Sequence, residues 1–254
     1  MLSANDVKYL ASLKQKKYRQ QHKKFLIEGF HLVEECLSSS FNLERIILRN
    51  DVDLQKQSVI LDKIAKNKVK VDALPEKSFT KFTDTENSQG IIGVVNKPDN
   101  KPSRELGNLV IALDRISDPG NLGTIIRTAY WFGVISILVS ENSADLYNSK
   151  VVRASQGAVF HTKIFEEVSL NEKLSELKQN EYNVYLFTPN AEKSLKDLHP
   201  SGKSVLVFGN EAEGISEELL NSSYEKVKIE GYSKCESLNA AISCGIALYR
   251  FRTS

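Results

Sequence analysis

The chain has 254 residues, of which 41% are hydrophobic and 26% are charged, a composition typical of a globular protein with one large domain or two small ones. Its longest uncharged runs, 128–140 and 237–249, hold 13 residues each, fewer than the roughly 18 that a membrane-spanning helix needs. The first residues lack the apolar core of a signal peptide, so we expect a cytoplasmic protein with no membrane partner. Three cysteines without a CxxC spacing and four scattered histidines argue against a disulfide framework and a metal site.

The net charge of +2 hides an asymmetry along the chain. Residues 1–97 contain 17 basic and 12 acidic side chains, a net charge of +5, whereas the remaining 157 residues contain 17 basic and 20 acidic ones, a net charge of −3. The basic excess is densest in 8–24, which has no Asp or Glu and in which Tyr9 and Tyr18 lie among the cations. Such a run is a candidate phosphate contact, because each side-chain cation that neutralises a phosphate releases counterions from the nucleic acid. Charge alone, however, favours the interpretation as a solvated helix face and loop. The candidate residues are Lys16, Lys17, Arg19, Lys23 and Lys24.

Alternating apolar segments predict a small α/β domain in residues 1–97. Strands are expected at 25–28, 43–48, 69–71 and 91–95, with one helix beginning at Phe30 and another over 54–66. Residues 98–107 follow with two prolines and mixed charge, which is typical of a linker.

The second part, 108–254, alternates in the same way. Strands are predicted at 109–113, 135–139, 184–187, 205–208 and 227–229, and helices at 122–132, 150–159 and 237–251. Buried β-branched runs separated by helices favour a mostly parallel, doubly wound sheet.

Three polar loops follow strands of this second domain. In open parallel sheets, ligands bind beyond the carboxyl ends of the strands, so these loops are the candidate site. The first reads DRISDPGNLGTIIR over 114–127, the second GNEAEG over 209–214, and the third IEGYSKCESLN over 229–239. Their glycines permit tight turns and a close approach of the backbone to a ligand, yet they form neither a dinucleotide-binding nor a P-loop pattern.

Each polar residue of these loops also has a purely structural interpretation. Asn121 is placed to cap the helix expected at 122, Glu211 suits a turn, and Ser237 with Asn239 suits the start of the last helix. Taken together, three such loops at strand ends predict a concave polar site. The chain has no GxSxG sequence, so Ser237 is a poor candidate for a hydrolase nucleophile.

The three segments, in this order, resemble the signature motifs of the SpoU/TrmH family of RNA ribose 2′-O-methyltransferases, in the SPOUT superfamily. The matching stretches are DPGNLGTIIRTAYWFG, FGNEAEGIS and IEGYSKCESLNAAISCGIALYRF. The resemblance implies a C-terminal α/β domain with a trefoil knot, S-adenosylmethionine bound in the knotted loops, and a homodimer. The segment YRQQHKKFLIEGFHLVEE is similar to the start of the family's RNA substrate-binding domain, a small α/β fold like that of RNA-binding ribosomal proteins.

The resemblance also implies roles for individual residues. Arg127 would either take the proton from the ribose hydroxyl or clamp the adjacent RNA phosphate, and both interpretations stay open. The third segment departs from the family pattern, because Glu230 and Gly231 stand where Pro-Met is usual. The implied catalytic residues are Asn121, Arg127, Glu211, Ser237 and Asn239. The implied cofactor-binding residues are Gly209, Asn210, Gly214, Ile229 and Leu238.

The expected activity is therefore S-adenosylmethionine-dependent 2′-O-methylation of a ribose in RNA. The basic substrate-binding domain favours ribosomal RNA over tRNA, and an enzyme that modifies an antibiotic site belongs to the same branch. Displacement at a sulfonium has a good neutral leaving group and requires no metal. A different class of protein, a non-catalytic RNA-binding or ribosome-assembly factor with the same fold, is the remaining alternative.

Overall fold

The computed structural model describes residues 2–53, 58–99 and 106–253. The start of the helix predicted over 54–66 and most of the predicted linker, 98–107, lie outside the described residues. The α-helices are α1 Ala4–Ser12, α2 Lys16–His22, α3 Phe30–Leu37, α4 Ser58–Asn67, α5 Glu76–Phe79, α6 Pro119–Trp131, α7 Ser149–Ala154, α8 Leu170–Gln179, α9 Glu217–Leu220 and α10 Ala240–Thr253. The strands are β1 Lys24–Glu28, β2 Leu43–Arg49, β3 Lys70–Leu74, β4 Ile91–Asn96, β5 Leu109–Asp114, β6 Ser136–Ser140, β7 Lys163–Val168, β8 Tyr182–Phe187, β9 Lys193–Ser194, β10 Lys203–Gly209 and β11 Glu225–Lys228.

The described chain divides into two compact units. The first comprises Met1–Asp99 together with Tyr147–His161, and the second comprises Asn100–Leu146 together with Thr162–Ser254. The division predicted from the sequence, 1–97, 98–107 and 108–254, stays a prediction.

The first unit is built on a four-stranded sheet in the order β1-β4-β2-β3. Strand β4 pairs antiparallel with β1 and β2, whereas β3 runs parallel to β2. Buried side chains of the strands and the apolar face of α1 together form a core on this sheet. Its buried members are Val7, Leu10, Leu13, Leu26, Ile47, Leu74, Phe79, Phe82, Ile92 and Val94.

The segment between β6 and β7 contains less helix than the sequence predicts. A helix over 150–159 is expected, but α7 ends at Ala154 and a short 3-10 helix follows at Ala158–Phe160. The break has a backbone cause, because Gln156 and Gly157 adopt left-handed φ angles of 49° and 86°. Glycine reaches that region without steric cost, and a helix cannot continue through it.

The second unit is built on a seven-stranded sheet in the order β7-β6-β5-β10-β8-β11-β9. All of its strand pairs are parallel. The predicted mixed α/β fold with a parallel sheet is confirmed. Strand β7 and helix α8 are elements that the sequence analysis does not assign, and the knot that the resemblance implies stays a prediction.

Burial explains why these segments form central strands. Every residue of β5 and of β6 is buried, as are Ser204 to Phe208 in β10. Strands covered on both faces need continuous apolar runs rather than alternation, which is the pattern that LVIAL and VLVF show. The core of this unit therefore lies on both faces of the sheet and leaves the strand ends to the polar loops.

One close contact in the first sheet gives a stability prediction. A Cβ atom on Gly93 would lie 2.8 Å from both Ile27 Cγ1 and Leu43 Cδ1, closer than carbon atoms can approach. We expect Gly93→Ala to lower the free energy of unfolding of the first unit by about 1–3 kcal/mol, measured by urea denaturation, because the core must shift to admit the methyl group. Gly231→Ala is the matched control, since a Cβ there meets nothing within 4 Å. Equal stability of Gly93→Ala and the unmodified protein would contradict the close packing.

Candidate active site

The candidate site lies where parallel strands of the second unit end. Strand β10 pairs with β5 so that Gly209 is opposite Asp114, and β8 pairs with both β10 and β11. Because the carboxyl ends of parallel strands meet at one edge of a sheet, the loops after β5, β10 and β11 leave from the same edge.

The first loop leads into α6, which begins at Pro119 rather than at the predicted residue 122. Asp118 is the N-cap, and its Oδ1 accepts a hydrogen bond of 2.8 Å from the backbone N–H of Asn121. Aspartate at the N-cap followed by proline is a favourable helix start. The prediction that Asn121 caps this helix is therefore wrong, and its side-chain amide makes other contacts.

A chain of side-chain hydrogen bonds joins the three loops. Asn121 Nδ2 donates to Glu211 Oε1 at 2.8 Å, and Asn121 Oδ1 accepts from Asn239 Nδ2 at 2.8 Å. The other carboxylate oxygen, Glu211 Oε2, accepts from the N–H and the hydroxyl of Ser117 at 3.2 and 3.1 Å. Of the predicted catalytic residues, the structure thus brings Asn121, Glu211 and Asn239 together.

Asn239 also fixes the start of α10. Its Oδ1 accepts hydrogen bonds from the backbone N–H groups of Ala241 at 2.9 Å and Ile242 at 3.3 Å. The helix therefore begins at Ala240, and the predicted start at 237 is three residues early. Because one amide caps the helix and reaches Asn121, the position of α10 is tied to the first loop.

The second loop is a tight turn that requires glycine. Asn210 and Gly214 exchange two backbone hydrogen bonds of 3.0 and 2.9 Å, and Asn210 Nδ2 donates to the carbonyl of Arg115 at 2.8 Å. A Cβ atom on Gly209 would lie 2.3 Å from the carbonyl carbon of Gly214 and from the backbone nitrogen of Ile215. A larger residue at Gly209 would therefore push the loop away from the end of β10.

The hydrogen bonds keep the Glu211 carboxylate ionised. Partial desolvation raises the pKa of Glu211, but the hydrogen bonds from Asn121 and Ser117 outweigh it and hold the pKa below its ordinary value. An ionised carboxylate only accepts hydrogen bonds, which suits the donors around it.

Arg127 and Ser237 lie outside this hydrogen-bonded chain. Arg127 is exposed on α6, and within the described part of the molecule no hydrogen bond or ion pair engages its guanidinium. Ser237 is exposed in the third loop, where its carbonyl accepts from Cys235 Sγ at 3.3 Å. Of the predicted cofactor-binding side chains, Ile229 is half-buried and Leu238 is exposed.

The third loop is held by an ion pair at the position where it departs from the family pattern. The Nζ of Lys196 donates to Glu230 Oε2 at 2.8 Å, and the hydroxyl of Tyr232 lies 3.4 Å from the same oxygen. The hydrogen bond from Lys196 lowers the pKa of Glu230. A side-chain contact therefore restrains this loop in place of a proline ring.

The predicted RNA-binding residues of the first unit do not all reach solvent. Lys16, Lys17 and Lys23 are exposed, and Lys24 forms an ion pair of 2.6 Å with Glu44. Arg19 is buried, and its Nη1 donates to two backbone carbonyls, so it supports the fold instead of offering a charge to a ligand.

Two kinds of feature are absent from the described residues, 2–53, 58–99 and 106–253. No helix there is long and apolar enough to cross a membrane, and no three His, Cys, Asp or Glu side chains are grouped so that they could hold a metal ion.

Sequence reasoning misses Ser117, which provides two of the donors to Glu211. Its partner lies 94 positions further along the chain, and no local pattern reports such a contact. The N-cap role of Asp118 could have been predicted from the sequence, since an aspartate followed by a proline is a typical helix start.

Comparison with known proteins identifies the family to which a chain with this site belongs. Residues 108–249 match the SpoU rRNA Methylase family, and residues 4–93 match the MRM3-like substrate binding domain. The chain belongs to the SpoU rRNA Methylase family. The membership predicted from the three motifs is thereby confirmed.

Individual relatives of this SpoU methylase extend over both parts of the chain. The 23S rRNA (guanosine(2553)-2′-O)-methyltransferase RlmP of Bacillus subtilis is 31% identical over 246 residues, which is 97% of this chain and 95% of the relative. A putative RNA methyltransferase of the TrmH family from Porphyromonas gingivalis has a TM-score of 0.87 and 30% identity, covering 99% of this chain and 98% of its own. The AdoMet-bound rRNA methyltransferase from Sinorhizobium meliloti has a TM-score of 0.85 and 27% identity, and the match covers 99% of this chain and 96% of that protein.

The depressed pKa of Glu211 gives a pH prediction for this SpoU methylase. A carboxylate whose folded pKa lies below its unfolded value stabilises the fold above the unfolded pKa, and this contribution is lost as the pH falls through the folded pKa. We expect Glu211→Gln to have a lower melting temperature than the unmodified protein at pH 7. The difference should shrink as the pH falls below the ordinary pKa of a glutamate, about 4.3, and should be lost once the pH passes through the lower folded pKa of Glu211. A difference that stays constant from pH 7 to pH 3 would contradict the role of the ionised carboxylate.

Proposed function

We propose that this chain transfers the methyl group of S-adenosylmethionine to a ribose 2′-hydroxyl of ribosomal RNA. The observation that carries the proposal is the hydrogen-bonded chain Ser117–Glu211–Asn121–Asn239, which ties three loops together at the carboxyl edge of a parallel sheet, while Arg127 is exposed on α6. The similarity to RlmP over 97% of the chain supports a ribose in 23S rRNA as the class of target.

The residues of the three loops fit S-adenosylmethionine. The tight turn that Gly209 permits keeps the backbone of 209–214 close to the end of β10, where it would border the cofactor. Ile229 and Leu238 provide apolar surface for the adenine ring, and the ionised Glu211 adds negative charge to a site for a cation. When bound, S-adenosylmethionine supplies a methyl group activated by its sulfonium.

Arg127 is the residue we propose to act on the RNA. A guanidinium keeps its proton at any physiological pH and presents several donors in a planar fork, which suits a phosphate better than a role as a base. Arg127 would hold the phosphate next to the target ribose and stabilise the negative charge that develops on the 2′-oxygen. As the O–CH3 bond forms, the S–CH3 bond would break, S-adenosylhomocysteine would leave as a neutral thioether, and the hydroxyl proton would pass to solvent. Asn121, six residues earlier on α6, would orient the ribose, while Glu211 and Asn239 position Asn121.

The first unit supports RNA as the substrate, and the similarity to the 23S rRNA methyltransferase RlmP over 97% of the chain favours ribosomal RNA over tRNA. Residues 4–93 match the MRM3-like substrate binding domain, and the net charge of +5 in residues 1–97 suits a polyanion. The cytoplasmic location expected from the sequence stays a prediction.

Arg127→Ala tests the catalytic assignment. We expect at least a ~100-fold loss of labelled methyl transfer to unmodified 23S rRNA, because one charge-stabilising donor is removed. S-adenosylmethionine affinity, measured by calorimetry, should be unchanged. Arg252→Ala is the matched control, since Arg252 is exposed on α10 and donates to the carbonyl of Gly133. Full transfer by Arg127→Ala would exclude this residue as catalytic.

A second copy of the chain is the partner we propose for the second unit. Ile242, Ile246 and Tyr249 are exposed at i, i+4 and i+7 on α10, and the neighbouring helix α6 ends in Trp131, which is 84% exposed. Four large apolar side chains on two packed helices form a surface that water disfavours, and a twofold-related copy would cover it. The homodimer implied by the resemblance fits this surface.

Ile246→Asp tests the proposed dimer. A charge at the centre of an apolar interface is costly to bury, so we expect the mass measured by light scattering to fall from that of a dimer to that of a monomer. Val59→Asp makes the same kind of change at an exposed position of α4 in the first unit and should leave the mass unchanged. A monomeric unmodified protein, or a dimeric Ile246→Asp variant, would contradict the proposal.

A further inference from the structure

Three rings cluster in the first unit, where α1 and α2 meet. The edge of Tyr9 meets His22, with ring centroids 4.8 Å apart and an interplanar angle of 86°. Tyr18 and His22 lie four residues apart on α2, and their rings are nearly parallel, at 9°, with centroids 6.3 Å apart. All three rings are half-buried, so each retains some surface in contact with solvent.

The backbone beneath these rings is fixed. Arg19, on the same helix, is buried, and its Nη1 donates to the carbonyls of Leu13 at 2.9 Å and Lys14 at 2.6 Å, which ties α2 to the end of α1. Tyr9 packs against the core of the unit. Rings held in this way lose little conformational entropy when a flat ligand stacks on them.

The lysines around the rings differ in whether a carboxylate already pairs with them. Lys14 forms an ion pair of 2.7 Å with Asp84, and Lys24 forms one of 2.6 Å with Glu44. Lys16, Lys17 and Lys23 are exposed, and in the part of the chain that the structure describes they have no such partner. The Nζ of Lys17 lies 5.9 Å from the centroid of the Tyr18 ring, so a positive charge accompanies the aromatic surface.

We propose that Tyr18 and His22 form a stacking platform for unpaired RNA bases, with Lys16, Lys17 and Lys23 contacting the adjoining phosphates. Every base has a flat π face that stacks on aromatic side chains, and single strands, loops and bulges expose this face whereas a duplex hides it. The proposal rests on the proposed function in taking RNA as the ligand, and it adds that the first unit selects an unpaired segment. None of these residues belongs to the cluster around Glu211.

The test compares Tyr18→Leu with Tyr18→Phe. Binding of a short oligouridine and of an RNA duplex of equal length is measured by fluorescence anisotropy. Base stacking on an aromatic side chain makes Tyr18→Leu bind the oligouridine about 5- to 150-fold more weakly, while Tyr18→Phe retains the ring and the affinity. Duplex binding should change little in either variant.

Two controls separate stacking from charge and from folding. Lys17→Gln should reduce the slope of log affinity against log salt by about 0.7, the value for one phosphate contact on a single strand, whereas Tyr18→Leu should leave that slope unchanged. Tyr224→Leu is the matched control, because Tyr224 also has a lysine over its ring, Lys178 at 5.4 Å, but lies in the second unit. Melting curves of the variants show whether the first unit remains folded. His22→Leu removes the second ring of the platform and should weaken oligouridine binding in the same way.

The outcomes are distinct from those for methyl transfer, because oligouridine binding is measured without S-adenosylmethionine and without a methyl-transfer readout. Equal losses for duplex and oligouridine, equal losses for Tyr18→Leu and Tyr224→Leu, or unchanged oligouridine binding by folded Tyr18→Leu and His22→Leu would each overturn the platform.

Discussion

The carboxylate of Glu211 is the contact on which the candidate site depends. It accepts hydrogen bonds from the first loop through Ser117 and Asn121, while Asn121 Oδ1 accepts a further hydrogen bond from Asn239 at the start of α10. Three segments that are distant in sequence are thereby held in one arrangement. Because a protonated carboxyl would lose acceptor capacity, the depressed pKa of Glu211 and the order of the loops depend on each other.

The sequence predicts the strands of the second unit well for a physical reason. Strands buried on both faces need continuous apolar runs, and LVIAL in β5 and VLVF in β10 are unusual enough to be recognised without a structure. Polar residues directly after such strands must gather at one edge of a parallel sheet. The grouping of Asn121, Glu211 and Asn239 was therefore accessible from strand ends and motifs, even though their mutual hydrogen bonds were not.

What the sequence does not predict depends on contacts across long separations and on backbone angles. Ser117 gains its role only because Glu211, 94 residues later, lies beside it. Helix α7 stops at Ala154 because Gln156 and Gly157 adopt left-handed φ angles, although residues 150–159 have a helical pattern. Arg19 belongs to a basic run yet is buried, since its guanidinium finds two backbone carbonyls at the end of α1. Composition treats Arg19 and Lys17 alike, and only the fold separates them.

That separation also changes how the charge of the first unit is understood. A net charge of +5 over 1–97 suggests general attraction to RNA, but burial of Arg19 and the pairing of Lys14 and Lys24 remove several of these cations from any ligand. In the basic run, Lys16, Lys17 and Lys23 stay exposed, and Lys17 lies beside the ring of Tyr18. Coulombic attraction alone does not distinguish a duplex from a single strand, whereas an aromatic surface does. The proposed platform would therefore let the first unit select its RNA by the bases that the RNA exposes, which charge alone does not do.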